Sequence, residues 1–305
     1  MGNLISQSFP PKSHFSVDQI PDLAGQVIIV TGGNAGVGKE TCKALLNKNA
    51  KVYLAARNKS KADEAIERLK RETGGKAPIF LELNLADLAS VRKAAEEFKS
   101  KEQELHVLFN NAGVMVPPVE QKTANGYDLQ FGTNVLGHYF FTTLLMSVLV
   151  HTARTSPLAH GHARIVNTSS YTAYLAPKGG IVWETLRNDE AGAAACKSMG
   201  TRTLYAQSKL GNVLLSNQLA KRQSEDRVAT ASGRAASTSV GEWFLYPASY
   251  GALTQLWSGT MPEGELHNGK FLIPWARIGD AGPMGNNEQL GDKLWAWLEE
   301  QVKGF

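Results

Sequence analysis

The stretch Thr31-Gly32-Gly33-Asn34-Ala35-Gly36-Val37-Gly38-Lys39 decides the fold of this chain of 305 residues. It ends the apolar run Val27–Thr31 and leads into a helical pattern. Its glycines permit a tight turn and let backbone N–H groups approach a pyrophosphate, to which the start of the helix adds partial positive charge. An ordinary glycine-rich loop is the alternative, but the strand–turn–helix context favours a dinucleotide site. The residues expected to contact the dinucleotide here are Gly32, Asn34, Gly36, Val37 and Gly38.

Short apolar runs alternate with longer amphipathic runs along most of the chain. The apolar runs mostly lack a clean period of two, which is typical of central strands covered on both faces. One amphipathic run opens with Ser60 and Asp63 at the spacing of a capping box. The alternation predicts an α/β fold with a doubly wound parallel sheet and helices on both faces. The predicted strands are Val27–Thr31, Lys51–Ala56, Ile79–Leu83, Val107–Asn110, Arg164–Thr168 and Lys270–Ile273, and the predicted helices are Ser60–Arg71, Leu88–Phe98, Leu204–Arg222 and Leu290–Val302.

No linker divides the chain, so we predict a single domain. It covers residues 21–305 and is preceded by an N-terminal extension of residues 1–20. Within the domain, segment 223–245 is atypical because its first part is polar and rich in small residues. Only a weak strand, Val228–Ala231, is predicted there before aromatic residues return at Trp243.

The composition excludes several classes of protein. With 43% hydrophobic and 20% charged residues the chain can bury a large core, which argues against a disordered or fibrous protein. Lys plus Arg exceed Asp plus Glu by 32 − 28 = 4, a mild excess that does not indicate a nucleic-acid partner. The two cysteines, Cys42 and Cys196, form no metal-binding or disulfide pattern, so we expect no metal and a reducing compartment.

The location predicted from the sequence is the cytoplasm. The longest apolar stretch, Val135–Val150, is interrupted by Gly137 and His138 and indicates a buried helix rather than a membrane span. The first six residues also fit the pattern for myristoylation of Gly2. A single acyl chain would give only weak, reversible membrane association.

The residue after the second predicted strand indicates which dinucleotide binds. Arg57 lies 57 − 38 = 19 residues beyond Gly38, where NAD-binding proteins commonly have Asp or Glu for the ribose 2′-hydroxyl. The stretch from Ala55 to Lys59 contains no acid. The arginine would pair instead with a 2′-phosphate, with Asn34 donating from the glycine turn, unless it is simply a solvated surface residue. We therefore expect NADP(H) in preference to NAD.

Tyr205 and Lys209 are four residues apart in a helical pattern, which places both side chains on one face. A free tyrosine has a pKa of about 10 and is a poor base at neutral pH. A neighbouring ammonium would lower that pKa by stabilising the phenolate, and the tyrosine could then exchange a proton with a carbonyl or alcohol oxygen. The pair alone is a common pattern, and its weight comes from the motifs around it.

Together with these motifs, the chain resembles the short-chain dehydrogenase/reductase family. The similarity covers about residues 20 to 222 and is greatest to the retinol-dehydrogenase-like branch and its fungal members. It implies a Rossmann-type fold and an oxidoreductase. The motifs that carry it are Thr31-Gly32 with Gly36-Val37-Gly38, Asn110-Asn111-Ala112-Gly113, Asn134, Ser169-Ser170 and Tyr205–Lys209, in this order.

The resemblance implies a role for each matching position. Tyr205 would be the general acid/base, and Lys209 would lower its pKa and bind the nicotinamide ribose. Ser170 would orient the substrate oxygen, with Ser169 as the alternative because adjacent strand residues face opposite sides. Asn134 would hold a water in a proton relay toward Lys209, or else cap or bend its helix. The other cofactor contacts implied are Asn84, Leu85, Asn111, Ala112 and Gly113, with Asn84 standing where the family usually has Asp.

Two departures from the family pattern bear on activity. Ser170 and Tyr205 are 205 − 170 = 35 residues apart, more than in many members, which predicts a surface excursion near the substrate entrance. The usual hydrophobic strand ending in Pro-Gly, with its substrate lid, is not found after Arg222, which puts one position of the sheet in doubt.

The leading hypothesis is an NADP(H)-dependent oxidoreductase acting on a small-molecule alcohol or carbonyl compound of lipophilic character. Retinoids, steroids and short aldehydes all stay open as substrates. The alternative is a catalytically weak or inactive NADP-binding protein, and a methyltransferase is a remote third candidate. Family members often pair through the helix that carries the tyrosine. Because Leu210, Val213, Leu214 and Leu215 put apolar side chains on more than one side of that helix, we also expect a homodimer.

Overall fold

The computed structural model describes residues 10–234 and 246–305, which form one α/β domain. Its strands are β1 (Val27–Thr31), β2 (Lys51–Ala56), β3 (Ile79–Glu82), β4 (Val107–Asn110), β5 (Ala163–Ser169), β6 (Val228–Arg234), β7 (Phe271–Ile273) and β8 (Arg277–Gly279). Its longer helices are α1 (Gly36–Asn47), α2 (Lys59–Glu72), α3 (Leu88–Lys101), α4 (His138–Thr155), α5 (Glu190–Met199), α6 (Thr201–Arg222), α7 (Ala248–Thr260) and α8 (Glu288–Gln301). A turn at Leu129–Phe131 and a π-helical segment, Gly132–Gly137, lead into α4.

The strands form a single twisted layer in the order β3-β2-β1-β4-β5-β6-β7-β8. All neighbours are parallel except β8, which runs antiparallel to β7. The chain moves outward from β1 to β3 and then returns to place β4 on the other side of β1. A crevice opens at such a switch point beyond the carboxyl ends of the strands, and ligands of doubly wound folds bind there.

The sheet is buried on both faces, as its unbroken apolar runs predict. In β1, Val27 and Ile29 belong to the core shared with α3, α4, α6 and α8, whereas Ile28 and Val30 belong to the core shared with α1, α2 and α7. Alternate strand residues face opposite sides, so one short run serves two cores. The predicted doubly wound α/β fold is confirmed.

The doubt about the sheet after Arg222 was wrong. Strand β6 forms and is longer than the predicted Val228–Ala231, and it pairs with β5 from Ala163↔Val228 to Ser169↔Arg234. Small residues suffice in this strand because β5 and β7 flank it on both sides. The expected Pro-Gly position and lid, Trp243 and the rest of residues 235–245 lie outside the described residues, as does Gly2.

One local prediction also needs correction, and one strand was not predicted. The cap of α2 is Asn58, whose side chain accepts a hydrogen bond from the Lys61 N–H at 2.9 Å, and not the Ser60–Asp63 pair. An N-cap side chain accepts from an N–H two or three residues on, so Asn58 moves the start of the helix to Lys59. Strand β8 was not predicted because three residues carry too little pattern.

The helical stretch Leu129–Thr155 is, within the described ranges, the one helix long and apolar enough to cross a membrane. Its most apolar window has a mean hydropathy of 1.4 and is 61% buried inside the protein. Phe141, Leu145 and Leu149 on α4 are fully buried in the core. The stretch is therefore a central core helix, in agreement with the interpretation of Val135–Val150.

The apolar side chains on which the homodimer prediction rested are covered within the chain. Helix α8 packs on α6, and the Arg222 guanidinium lies 4.6 Å from the centre of the Trp295 ring. These side chains therefore give no exposed apolar face, and the homodimer stays a prediction. The residues concerned, Leu210, Val213, Leu214 and Leu215, are each at most 1% exposed.

Candidate active site

A cleft of about 550 Å³ lies at the carboxyl edge of the sheet, at the switch point between β1 and β4. The turns after β1, β2, β3 and β4 line it, together with the end of β5 and one face of α6. The structure brings together here all the residues predicted to bind the cofactor: Gly32, Asn34, Gly36, Val37, Gly38, Arg57, Asn84, Leu85, Asn111, Ala112, Gly113, Tyr205 and Lys209.

The glycine turn after β1 forms an open cradle. Gly32 and Gly36 have positive φ angles of 67° and 51°, in the left-handed region that favours glycine. A Cβ atom on Gly36 would meet nothing within 4 Å, so a ligand can approach the backbone there. At Gly38 the constraint is packing, because a Cβ atom would overlap the carbonyl oxygen of Gly32.

The N-terminus of α1 faces this cradle with its N–H groups uncapped. Among the described residues no side chain caps α1, whereas Asn58, Asp87 and Asp189 cap α2, α3 and α5. The first turn of α1 also contains no acidic residue. Uncapped N–H groups at a helix start favour an anion, so this terminus fits the pyrophosphate of a dinucleotide.

Thr31 ties the turn after β4 to the turn after β1. Its hydroxyl accepts from the N–H groups of Asn111 and Ala112, both at 2.9 Å, and the Asn111 side chain donates back to the Thr31 carbonyl at 2.8 Å. His138 also lies 2.9 Å from this hydroxyl and 3.0 Å from the Asn134 carbonyl oxygen. Burial lowers the pKa of His138 to about 4, so it is a neutral packing residue and not a base.

One end of the cleft is cationic. Arg57 and Lys61 line it near Asn34, and no Asp or Glu belongs to the lining as far as the chain is described. Lys61 was not predicted from the sequence as a cleft residue. Its position four residues after Arg57, in the first turn of α2, could have indicated it. Two cations and an amide at this end suit a phosphate group.

Asn84 is held by its own turn. Its Oδ1 accepts from the Ala86 N–H at 3.2 Å, and its N–H donates to the Ser90 hydroxyl at 3.1 Å. A further cleft residue, Thr133, was not predicted. Its hydroxyl is buried and has no hydrogen-bond partner within residues 10–234 and 246–305, so a bound ligand would satisfy it. The cradle, the uncapped helix, the cationic end and this hydroxyl together fit a dinucleotide phosphate.

Tyr205 and Lys209 lie side by side at the other end, on the same face of α6. Their side chains are 8% and 4% exposed, and the Lys209 ammonium is 5.7 Å from the centre of the tyrosine ring. The ammonium donates to the Thr168 carbonyl at 3.1 Å. Burial lowers the pKa of Lys209 to about 8.

The expectation that Tyr205 has a lowered pKa is not met in this structure. Burial raises the pKa of its phenol, and a hydrogen bond with the Ser170 side chain offsets only part of that increase. The ammonium of Lys209 points to the Thr168 carbonyl and is itself desolvated, so it does little for the phenolate. Tyr205 is therefore protonated at neutral pH and ready to donate.

The two adjacent serines face different ways. The Ser169 hydroxyl is buried and donates to the Lys209 carbonyl at 2.8 Å, so it serves the packing of β5 against α6. Ser170 starts the short helical turn Tyr171–Leu175, and its side chain bonds to Tyr205. Ser169 and not Ser170 belongs to the lining of the cleft, but the Ser169 hydroxyl is already bonded to the Lys209 carbonyl, and the contact with Tyr205 therefore favours Ser170 as the residue beside the reacting oxygen.

Asn134 lies in the π-helical segment, behind the cleft. Its amide contacts Val114 on both sides, accepting from the N–H at 2.8 Å and donating to the carbonyl at 3.0 Å. It also donates to the Ser208 hydroxyl at 2.9 Å. The side chain therefore holds a loop, while its Oδ1 and the Lys209 ammonium would lie 3.2 Å and 3.4 Å from a Cβ atom on Gly113, and the water relay toward Lys209 stays a prediction. π-Helical segments are rare and frequent at functional sites.

No cluster of three or more His, Cys, Asp or Glu side chains suited to a metal ion occurs in the part of the chain that the structure describes.

Comparison with known proteins gives a consistent result. A family profile described as short chain dehydrogenase matches residues 26–184. A short-chain dehydrogenase/reductase from the fungus Armillaria gallica is 50% identical over 100% of both chains. Among solved structures, an uncharacterized protein from Mycobacterium paratuberculosis matches with a TM-score of 0.75 and 24% identity, over 95% of this chain and 98% of that one. A short chain dehydrogenase from Shigella flexneri, solved with NADP, matches with a TM-score of 0.63 and 18% identity, over 83% and 98% of the two chains.

Proposed function

Since the chain belongs to the short-chain dehydrogenase/reductase family, we propose that it is an NADP(H)-dependent oxidoreductase acting on an alcohol or carbonyl compound. The observation that carries the proposal is the arrangement of one cleft. Its cationic end holds Arg57 and Lys61, and its reactive end holds Tyr205 and Lys209, with Ser170 bonded to Tyr205. A nicotinamide cofactor lying along the cleft would supply or accept the hydride.

In the direction of reduction, Tyr205 gives its phenolic proton to the carbonyl oxygen of the substrate. The raised pKa of Tyr205 keeps that proton in place at neutral pH. Ser170 donates a hydrogen bond that orients the same oxygen and stabilises its developing negative charge. The Lys209 ammonium, which already donates to the Thr168 carbonyl, would serve mainly to bind the nicotinamide ribose and does little for the phenolate left behind.

The preference for NADP(H) rests on the cationic end of the cleft. Arg57 with Lys61 pairs with a 2′-phosphate, and the acid that would accept from a ribose 2′-hydroxyl is not found in the lining that the structure describes. The Shigella structure was solved with NADP, and its likeness to this chain extends to the fold alone. We further propose a lipophilic substrate of the kind handled by retinol-dehydrogenase-like members, and a cytoplasmic location.

Tyr205→Phe tests the proposal because it removes one hydroxyl and keeps the ring. NADPH-dependent reduction of a panel of aldehydes and ketones should fall by about 10³-fold or more, while NADPH binding stays within about twofold of wild type. Tyr127→Phe is the matched control, since its hydroxyl bonds to Gln301 outside the cleft and its loss should leave turnover unchanged. Wild-type protein that binds NADPH but reduces nothing would instead favour the inactive cofactor-binding alternative.

A further inference from the structure

The loop Val114–Pro117, which follows the Asn111-Ala112-Gly113 turn, contains a strained residue. Val116 has a φ angle of 52°, in the left-handed region. A β-branched side chain is strongly disfavoured there, so the surrounding structure must impose this conformation. Val116 is 41% exposed, and its own packing therefore does not account for the strain. Strained backbone conformations of this kind cluster at functional sites, where the strain is part of the mechanism.

Hydrogen bonds with side chains from other elements hold both ends of the loop. The Asn134 side chain accepts a hydrogen bond from the N–H of Val114 and donates one to its carbonyl. Gln130, which is fully buried, accepts from the Val116 N–H at 2.9 Å, directly at the strained residue. Thr201 donates to the Pro117 carbonyl at 2.7 Å.

The same side chains connect the loop to the helix that carries Tyr205. Gln130 donates to the Thr201 carbonyl at 2.8 Å, at the first residue of α6. Asn134 donates to Ser208, whose hydroxyl donates to the Tyr205 carbonyl at 2.8 Å. The same hydrogen-bonded side chains therefore hold both the loop and Tyr205. A change in the conformation of the loop would shift the loop relative to Tyr205.

Met115 is the residue that this loop presents to the cleft. It lines the cleft, and its side chain is 43% exposed, which is high for a large apolar residue. The loop starts beside the reactive end, since a Cβ atom on Gly113 would lie 3.4 Å from the Lys209 ammonium. A thioether is apolar and adapts to irregular shapes, so it suits an alkyl group better than a charged or strongly polar one.

We propose that Met115 contacts the substrate and selects for an apolar chain on the carbonyl carbon, and that the strained Val116 backbone holds it in place. This inference rests on the proposed oxidoreductase function. It assigns Met115 as a specificity-determining residue and Gln130 as a positioning residue that acts through the loop. The strain is retained because the relaxed loop would carry Met115 away from the substrate.

The test compares kcat/KM for propanal and decanal in variants of the full chain. Met115→Ala should lower the value for decanal by about tenfold and that for propanal by less than about twofold. Val116→Gly relieves the strain without removing Met115, and it should reduce the decanal-to-propanal ratio while the melting temperature stays equal or rises. NADPH binding should be unchanged in both variants.

Arg227→Gly is the matched control. Arg227 also has a positive φ of 58°, but it lies before β6 at the opposite edge of the sheet. Relief of strain there should leave the substrate ratio at the wild-type value. Equal losses for both aldehydes in Met115→Ala, or an unchanged ratio in Val116→Gly, would overturn the assignment of Met115 while leaving the proposed function intact. Failure of wild type to reduce either aldehyde or any other carbonyl compound would overturn both.

Discussion

Replacing Lys209 by methionine should stabilise the folded protein at neutral pH, although it removes a central group of the cleft. The ammonium is 4% exposed, and no carboxylate forms an ion pair with it among the residues described. Burial lowers the pKa of Lys209 from 10.5 to about 8. A buried charge without an opposite charge raises the free energy of the folded state.

The size of the effect follows from the pKa difference. The folded value of about 8 lies below the ordinary 10.5, and at 1.36 kcal/mol per unit the difference corresponds to about 3 kcal/mol. Loss of the hydrogen bond from Lys209 to the Thr168 carbonyl should reduce this stabilisation only slightly, because Asn212 still donates to the same carbonyl at 3.0 Å.

The sign of the pH dependence follows from the same two values. Below about pH 8 both states carry the ammonium, and the full penalty on folding is present. Between about pH 8 and 10.5 the unfolded chain holds the proton that the folded chain has lost, so wild-type stability rises with pH. Methionine has no proton to lose, and the advantage of the variant should therefore shrink toward zero near pH 10.5.

Urea unfolding of wild type and Lys209→Met without nucleotide, at several pH values from about 6 to 10, measures this difference in the free energy of unfolding. Lys221→Met is the control, because Lys221 is exposed and its pKa is raised by the hydrogen bond to Glu288. That variant should show no gain at neutral pH. A Lys209→Met variant no more stable than wild type at pH 7, or an advantage that does not change with pH, would show that the buried Lys209 charge does not destabilise the fold.

Further predictions concern the cleft. Arg57→Ala should weaken NADPH binding by about tenfold or more and leave NADH binding unchanged in fluorescence titrations, and equal losses for both would contradict a phosphate contact. Ser170→Ala should lower kcat by about a hundredfold with NADPH binding intact, whereas a change confined to KM would argue against stabilisation of the reacting oxygen. Gly36→Ala should lower the free energy of unfolding by about 1 kcal/mol, because the φ of Gly36 is 51°. It should also weaken NADPH binding, because the methyl group would enter the open space beside the backbone. Gly38→Ala should lower the melting temperature by more, because its Cβ atom would overlap the Gly32 carbonyl, and reversed rankings in thermal unfolding would contradict the geometry.

The sequence was sufficient for most of the fold because the central strands are unbroken apolar runs. The bounds of β1, β2 and β4 agree with the prediction residue for residue. Once parallel strands are assigned, their carboxyl ends must meet at one edge, which is why Gly32, Arg57 and Asn111 could be placed in one cleft. Here local pattern and tertiary structure carry the same information.

Other features depend on contacts between distant segments and left no local pattern. The strained Val116 accompanies a hydrogen bond from its N–H to the distant Gln130, and the Lys209 ammonium donates to a carbonyl of β5. The raised pKa of Tyr205 arises from burial, which helical spacing alone does not reveal. Thr133 enters the cleft only because the π-helical segment is folded against it, whereas Lys61 could have been predicted from its position four residues after Arg57.

The cofactor preference of the cleft is tested most directly by a titration of the full chain with NADPH and, separately, with NADH, followed by nucleotide fluorescence. We expect NADPH to bind at least about tenfold more tightly than NADH, since Arg57 and Lys61 line the cleft with no acid in the described lining. Absence of binding to both nucleotides would show that this cleft is not an NADP(H) site.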